Sequence, residues 1–110
     1  MLTASISANG EYIIAGSKDN KAYFFDKDSS TPQWTATLSG EVISSSISAD
    51  GEYIVAGASD TNVYLFDKDN STPLWNYATG GSVVSVAISA DGEYIAAGSF
   101  DDKVYLFRGR

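Results

Sequence analysis

ISADGEYIVAGASD, from Ile47 to Asp60, is the stretch that decides the fold, because the chain contains it three times. Close copies run from Ile6 to Asp19 (ISANGEYIIAGSKD) and from Ile88 to Asp101 (ISADGEYIAAGSFD), so corresponding residues lie 41 positions apart. Each copy has Asn-Gly or Asp-Gly between two runs of strand-forming residues, which is a strong signal for a β-hairpin with a two-residue turn. The sequence therefore predicts a tandem repeat that is built on hairpins.

Each repeat contains four segments with the composition of a β-strand, labelled a to d. In the second repeat these are residues 43–49 (a), 53–58 (b), 63–66 (c) and 74–79 (d). Segments b and c are apolar on both faces, so neighbouring layers are expected to cover them on both sides. Segment d alternates with polar residues and suits an outer strand. The third repeat stops after segment c, which gives eleven predicted strands.

A period of about 40 residues with four strands per unit is the signature of a β-propeller blade. We predict an all-β fold in which residues 1–110 form a single partial propeller of three blades of antiparallel strands. The blades span about residues 2–39, 42–80 and 83–108, and the third lacks its outer strand. Since a closed propeller needs at least about four blades, we expect head-to-tail association to complete the ring. Two chains with six blades are favoured over three chains with nine.

The second half of the repeat resembles a WD repeat, on the string AGASDTNVYLFD from Ala56 to Asp67. In that family an Asp lies in the turn between strands b and c, and an aromatic-Asp pair ends strand c. The matching turn residues are Asp19, Asp60 and Asp101, and the matching pairs are Phe25-Asp26 and Phe66-Asp67. The Gly-His that opens a WD repeat is Gly40-Glu41 or Gly81-Ser82 here.

From strand c into strand d the chain is similar to the quinoprotein-type repeat, named for pyrroloquinoline quinone. In that repeat an Asp stands eight residues before a Trp that docks between blades. Asp26 with Trp34 and Asp67 with Trp75 have this spacing. Both resemblances imply propeller blades, and neither implies a particular activity, because propellers host many functions.

The repeated aromatic residues are interpreted as packing between blades, since an aromatic at blade period is more often structural than ligand-binding. The predicted blade-docking aromatics are Trp34, Trp75, Tyr12, Tyr53, Tyr94, Phe25, Phe66 and Phe107. The alternative is that Trp34 and Trp75 are exposed and stack on sugar rings, which would make this a carbohydrate-binding propeller.

The repeated turn carboxylates have two interpretations. Each accepts backbone N–H bonds within its own turn, or together they form an acidic binding rim. These residues are Asp19, Asp60 and Asp101, with Asp102 beside the last. Asp26-Lys27-Asp28 and Asp67-Lys68-Asp69 resemble the start of a calcium loop but lack its Gly and closing Glu, so no metal site is predicted.

Composition excludes several function classes. The chain has no cysteine and no histidine, which removes the usual general base and the commonest metal ligands. Its carboxylates lie in turns, so we predict no catalytic activity and no cofactor. The net charge of -7 disfavours nucleic-acid binding, and no apolar run is long enough to predict a membrane span. The N-terminus predicts no secretion signal, and the compartment stays open.

The sequence therefore predicts a non-catalytic scaffold or binding module that associates with itself. The alternative is an excised or engineered fragment of a longer propeller, whose only activity is assembly. Neither pattern identifies a further protein or small-molecule partner.

Overall fold

The structure, a computed structural model, describes residues 3–108. These residues form eleven strands. They are β1 (Thr3–Ile6), β2 (Tyr12–Gly16), β3 (Lys21–Asp26), β4 (Trp34–Thr37), β5 (Val42–Ile47), β6 (Tyr53–Ala58), β7 (Asn62–Asp67), β8 (Trp75–Ala78), β9 (Val83–Ile88), β10 (Tyr94–Ser99) and β11 (Val104–Arg108). Within this range no helix is long and apolar enough to pass through a bilayer.

The strands form three antiparallel sheets in chain order, which we call blades 1, 2 and 3. Blade 1 has the order β1-β2-β3-β4, blade 2 the order β5-β6-β7-β8, and blade 3 the order β9-β10-β11. The predicted all-β fold of antiparallel blades is therefore confirmed, with three strands in the last blade of the described chain. Residue 2, the predicted start of the first blade, lies outside the described residues.

The turn between the first two strands of each blade is longer than predicted. In blade 1 the N–H of Ser7 donates to the carbonyl of Tyr12 at 2.9 Å, so four residues connect this closing pair. Gly10 has a φ of 71°, whereas Asn9 does not adopt a positive φ. The Oδ1 of Asn9 accepts bonds from the Ser7 hydroxyl (2.6 Å) and the Glu11 N–H (3.0 Å). The two-residue prediction was wrong because these bonds stabilise a turn in which only the glycine is left-handed.

Two apolar layers hold the blades together. The side chains of Ile14 and Phe24 from blade 1 pack with Ile54 and Phe66 from blade 2, and all four are at most 1% exposed. The second layer, between blades 2 and 3, consists of Val55, Val63, Leu65, Val83, Ile95 and Ala97. Successive residues of a strand point to opposite faces, so β6 contributes Ile54 to one layer and Val55 to the other. Blade 2 is therefore covered on both faces, as its apolar strands predicted.

Small hydroxyl residues on the first strands of blades 1 and 2 form hydrogen bonds between neighbouring blades. The hydroxyls of Thr3 and Ser45 lie 3.0 Å apart, which joins blades 1 and 2. The hydroxyl of Ser44 donates to the carbonyl of Val83 at 3.1 Å and joins blades 2 and 3. Because these polar groups satisfy each other across the blade boundary, they can be buried without losing hydrogen bonds.

Candidate assembly surface

The repeated Asp between the second and third strands of each blade is held by its own turn. In blade 2 the Oδ1 of Asp60 accepts the Asn62 N–H at 3.0 Å, and its Oδ2 accepts the hydroxyl of Tyr64. Asp19 and Asp101 make the same two kinds of contact, to the tyrosines of their own blades. These carboxylates therefore serve the turn geometry of the blade.

The tyrosine partner was missed by sequence reasoning, although the signal is present as an Asp followed four residues later by a Tyr in every repeat. Burial, together with the hydrogen bond to Asp60, raises the pKa of Tyr64 to about 12. The hydrogen bond from Tyr105 lowers the pKa of Asp101, and the bond from Tyr23 lowers that of Asp19. Carboxyl groups with a lowered pKa are ionised at neutral pH and are unsuited to act as general acids.

Asp102 differs from the other predicted rim residues. It occupies the left-handed position of its turn with a φ of 68°, which Asn20 and Thr61 occupy in blades 1 and 2. Its neighbour Asp101 reaches across to blade 2, where its Oδ2 accepts the N–H of Gly80 at 2.9 Å. Asp101 thus also connects blade 3 to the end of blade 2.

The loops that resemble the start of a calcium site are closed by local bonds. The Oδ1 of Asp26 accepts the N–H of Asp28 at 3.0 Å, and the Nζ of Lys27 lies 3.5 Å from the carboxylate of Glu11. Within residues 3–108, no group of three or more carboxylates is arranged to hold a metal ion. The described part of the chain therefore supplies no candidate metal centre.

Trp34 lies between two blades. Its ring stacks on Phe24 of blade 1 and on Phe66 of blade 2, with centroid distances of 5.2 Å to each, and its Nε1 donates to the carbonyl of Lys68 at 2.8 Å. Trp75 occupies the same place at the next boundary, 5.3 Å from Phe107. With aromatic rings on both sides, Trp34 is placed for packing and not for stacking on a sugar.

Tyr12 and Tyr53 fix the other end of each boundary. A Cβ at Gly51 would lie 2.2 Å from Cδ2 of Tyr12, and a Cβ at Gly92 would lie 2.5 Å from Cδ2 of Tyr53. Each tyrosine thus packs against the hairpin glycine of the following blade, and only a glycine leaves room for the ring. The corresponding third tyrosine, Tyr94, is 46% exposed.

The outer face of blade 3 exposes apolar side chains whose equivalents in blade 2 are buried. Val104 and Leu106 are 83% and 76% exposed, whereas the equivalent Val63 and Leu65 of blade 2 are fully buried. These two residues, with Tyr94, form what we call the trailing face. Apolar residues clustered in this way indicate an interaction surface.

The outer face of blade 1 has the complementary features, and we call it the leading face. Ile6 is 60% exposed although its equivalent Ile47 is 8% exposed, and Phe25 belongs to neither buried layer, although its equivalent Phe66 is fully buried. A Cβ at Gly10 would meet nothing within 4 Å. Of the predicted docking aromatics, Phe25 and Tyr94 thus lie on the two end faces and the other six lie between blades.

The chain is similar to propeller-repeat proteins. The family described as outer membrane protein assembly factor BamB matches residues 1–110. No curated protein sequence matches the chain. The crystal structure of the Cps50 (Swd1) β-propeller domain from Myceliophteria thermophila is similar, with a TM-score of 0.87 and 17% identity. The match covers 98% of this chain and 34% of that one, so the chain spans about a third of its length. These matches confirm the resemblance to propeller repeats.

Proposed function

The chain belongs to the quinoprotein-type repeat family described as outer membrane protein assembly factor BamB, and we propose that it is a non-catalytic propeller scaffold that completes its ring with a second copy of itself. The propeller-like fold supports a scaffold or binding module. Head-to-tail contact between the trailing face of one copy and the leading face of the next would give six blades, within the usual range for closed propellers.

One observation carries this proposal. The chain twice packs a tyrosine of one blade on the hairpin glycine of the next, and the two end faces carry one further tyrosine and one further glycine at the equivalent positions. Tyr12 packs on Gly51 and Tyr53 packs on Gly92. The next member of the series is Tyr94, which is exposed, and its matching glycine is Gly10, which has free space above it. Placing Tyr94 of one copy on Gly10 of the next would repeat the same contact.

The apolar area is sufficient to favour such a contact. Full burial of Val104 and Leu106 would contribute about 1.5–3 kcal/mol for each side chain, and a closed dimer has two such boundaries. Together the four side chains supply about 6–12 kcal/mol, against an association cost of about 4–15 kcal/mol. Ile6 and Phe25 on the leading face add to the favourable side. The gain and the cost are of the same order, so the strength of association is the quantity that sedimentation has to measure.

A second candidate is that further blades of one longer polypeptide cover the end faces. The coverage of only 34% of the similar propeller domain favours it. The two candidates differ in the predicted number of chains per ring, because blades attached in the same polypeptide would complete the ring without a second copy. The mass of the 110-residue chain in solution separates them.

Analytical ultracentrifugation from 1 to 100 μM tests the proposal. The expected result is a species of twice the chain mass of 11.7 kDa, which the double substitution Val104→Lys with Leu106→Lys converts to a monomer. Ser71→Lys with Thr72→Lys adds the same charges to an exposed loop and should leave the dimer intact. A monomeric wild-type chain at 100 μM, or a double variant that keeps the dimer mass, would overturn the proposal.

A further inference from the structure

The loop between β7 and β8 contains a short motif that the scaffold function does not use. Asn70, Ser71 and Thr72 form the pattern Asn-x-Thr with a residue other than Pro in the middle. This is the acceptor pattern of N-linked glycosylation. None of the other four asparagines has a Ser or Thr two residues later; they are Asn9, Asn20, Asn62 and Asn76. The pattern therefore occurs once in the sequence.

The structure places this motif where an enzyme can reach it. Asn70, Ser71 and Thr72 are all exposed. The Oδ1 of Asn70 accepts the N–H of Thr72 at 2.8 Å, and the N–H of Asn70 donates to the carbonyl of Asp67 at 3.2 Å. Within residues 3–108 the Nδ2 of Asn70 forms no hydrogen bond. The loop thus uses the oxygen of this amide and leaves its nitrogen available.

The equivalent loop of blade 1 shows that the turn does not require an asparagine. Ser29 occupies the position of Asn70, and its Oγ accepts the N–H of Thr31 at 3.1 Å. The N–H of Ser29 donates to the carbonyl of Asp26 at 3.2 Å, as the N–H of Asn70 does to Asp67. The turn therefore needs only an acceptor oxygen at this position. The nitrogen of Asn70 is an addition that the fold leaves unused.

The loop also has room for a large substituent. Asn70, Ser71 and Thr72 belong to neither of the apolar layers between the blades. An N-linked oligosaccharide is bulky and hydrated, so it requires a surface position from which it extends into water. Attachment at Asn70 would displace no side chain of either layer.

We propose that Asn70 is an acceptor site for N-linked glycosylation, with an oligosaccharide carried on a polyprenyl diphosphate as the donor. In the transfer, Nδ2 of Asn70 forms a bond to the anomeric carbon of the sugar and loses one proton. The bond from that carbon to the diphosphate oxygen breaks, and the polyprenyl diphosphate leaves with the electron pair. The hydroxyl of Thr72 completes the pattern that the transferring enzyme recognises. A single chain presents the site, so this proposal stands independently of ring formation.

Secretion of the full chain from yeast, with a cleavable leader added, tests the proposal by intact-mass spectrometry. The expected result is a species heavier by one oligosaccharide, which N-glycanase removes while converting the modified asparagine to aspartate. Pro73 restricts Thr72 to an extended backbone, which limits how far the loop can adapt to the enzyme, so partial modification is expected. A secreted wild-type chain that carries no oligosaccharide would overturn the proposal.

Matched variants locate the modification. Asn70→Gln removes the acceptor nitrogen and Thr72→Ala removes the hydroxyl, so each should abolish the heavier species. Ser29→Asn creates the same pattern in the equivalent turn of blade 1 and should add a second oligosaccharide. An oligosaccharide that persists in Asn70→Gln, or one gained by Ser29→Asn when the wild-type chain carries none, would refute the assignment to Asn70.

Thermal unfolding supplies a readout besides mass. Because the site is exposed and outside both apolar layers, the glycosylated and the deglycosylated chains should have Tm values within about 2 °C of each other. A much lower Tm for the glycosylated chain would show that the loop packs against the blades, and it would contradict the argument from exposure.

Discussion

Gly57 and Gly98 occupy equivalent positions in blades 2 and 3, and their surroundings differ. A Cβ at Gly57 would lie 2.3 Å from Oγ of Ser44 and 2.5 Å from Cγ1 of Val83, which belongs to the next blade. A Cβ at Gly98 would have Ser85 at 3.9 Å as its nearest neighbour, an ordinary contact distance. The same substitution is therefore expected to have opposite effects at the two positions.

The magnitudes follow from these distances. Gly57→Ala overpacks the blade boundary, which costs about 1–3 kcal/mol, and it disturbs the bond from Ser44 to Val83, worth about 1 kcal/mol. The alanine also restricts the unfolded chain, which returns about 0.4–1 kcal/mol. The net expectation for Gly57→Ala is a loss of about 1–3 kcal/mol. For Gly98→Ala only the favourable effect remains, a gain of about 0.4–1 kcal/mol.

Thermal unfolding followed by circular dichroism measures both changes, at a protein concentration where the chain sediments as a monomer. At about 4 °C per kcal/mol, Gly57→Ala should lower Tm by about 4–12 °C and Gly98→Ala should raise it by about 2–4 °C. The reasoning is refuted if the two variants shift Tm in the same direction by similar amounts. In the proposed ring, Gly98 faces the first strand of the next copy, so Gly98→Ala should then weaken dimerisation as well.

Two further predictions concern the turns of blade 2. Thr61 has a φ of 78°, a conformation that costs a β-branched residue about 1–2 kcal/mol. Asparagine tolerates this conformation better and occupies the equivalent position in blade 1 as Asn20, so Thr61→Asn should raise Tm by about 4 °C. An unchanged Tm would contradict this. The pKa of Tyr64 is raised to about 12, so its contribution to stability is complete below pH 10 and is lost as the pH rises toward 12. Tyr64→Phe should therefore reduce the loss of stability between pH 10 and 12 in urea titrations, and an equal loss in the variant and the wild type would contradict this.

Several features of the fold could be predicted because they depend on local sequence. The 41-residue repeat and the alternation of apolar residues predicted the strands, their antiparallel order and the propeller blades. The turn type was predicted wrongly, although Asn9-Gly10 is a strong hairpin signal. The hydroxyl of Ser7 and the amide of Asn9 bind each other and the following backbone, and this competes with the two-residue turn. Side-chain bonds of this kind are local, but their geometry is not visible in a residue pattern.

The turn carboxylates show a similar limit. Sequence reasoning placed Asp19, Asp60 and Asp101 in turns and left a structural and a binding interpretation open. The tertiary structure adds a tyrosine hydroxyl on each Oδ2, and it adds the contact between Asp101 and Gly80 of the preceding blade. A contact between repeats depends on how the blades stack, and the strand pattern does not specify that distance.

The clearest separation between sequence and tertiary structure is at Tyr64-Leu65-Phe66 and Tyr105-Leu106-Phe107. The two tripeptides are identical and both form the third strand of a blade, so local sequence by itself determined their conformation. Leu65 is fully buried and Leu106 is 76% exposed. The difference arises because burial requires atoms from a following blade, and of these two blades only blade 2 has one within residues 3–108. The sequence determined that each leucine lies on an apolar strand face, and the arrangement of the blades decided which leucine is buried against a neighbouring blade.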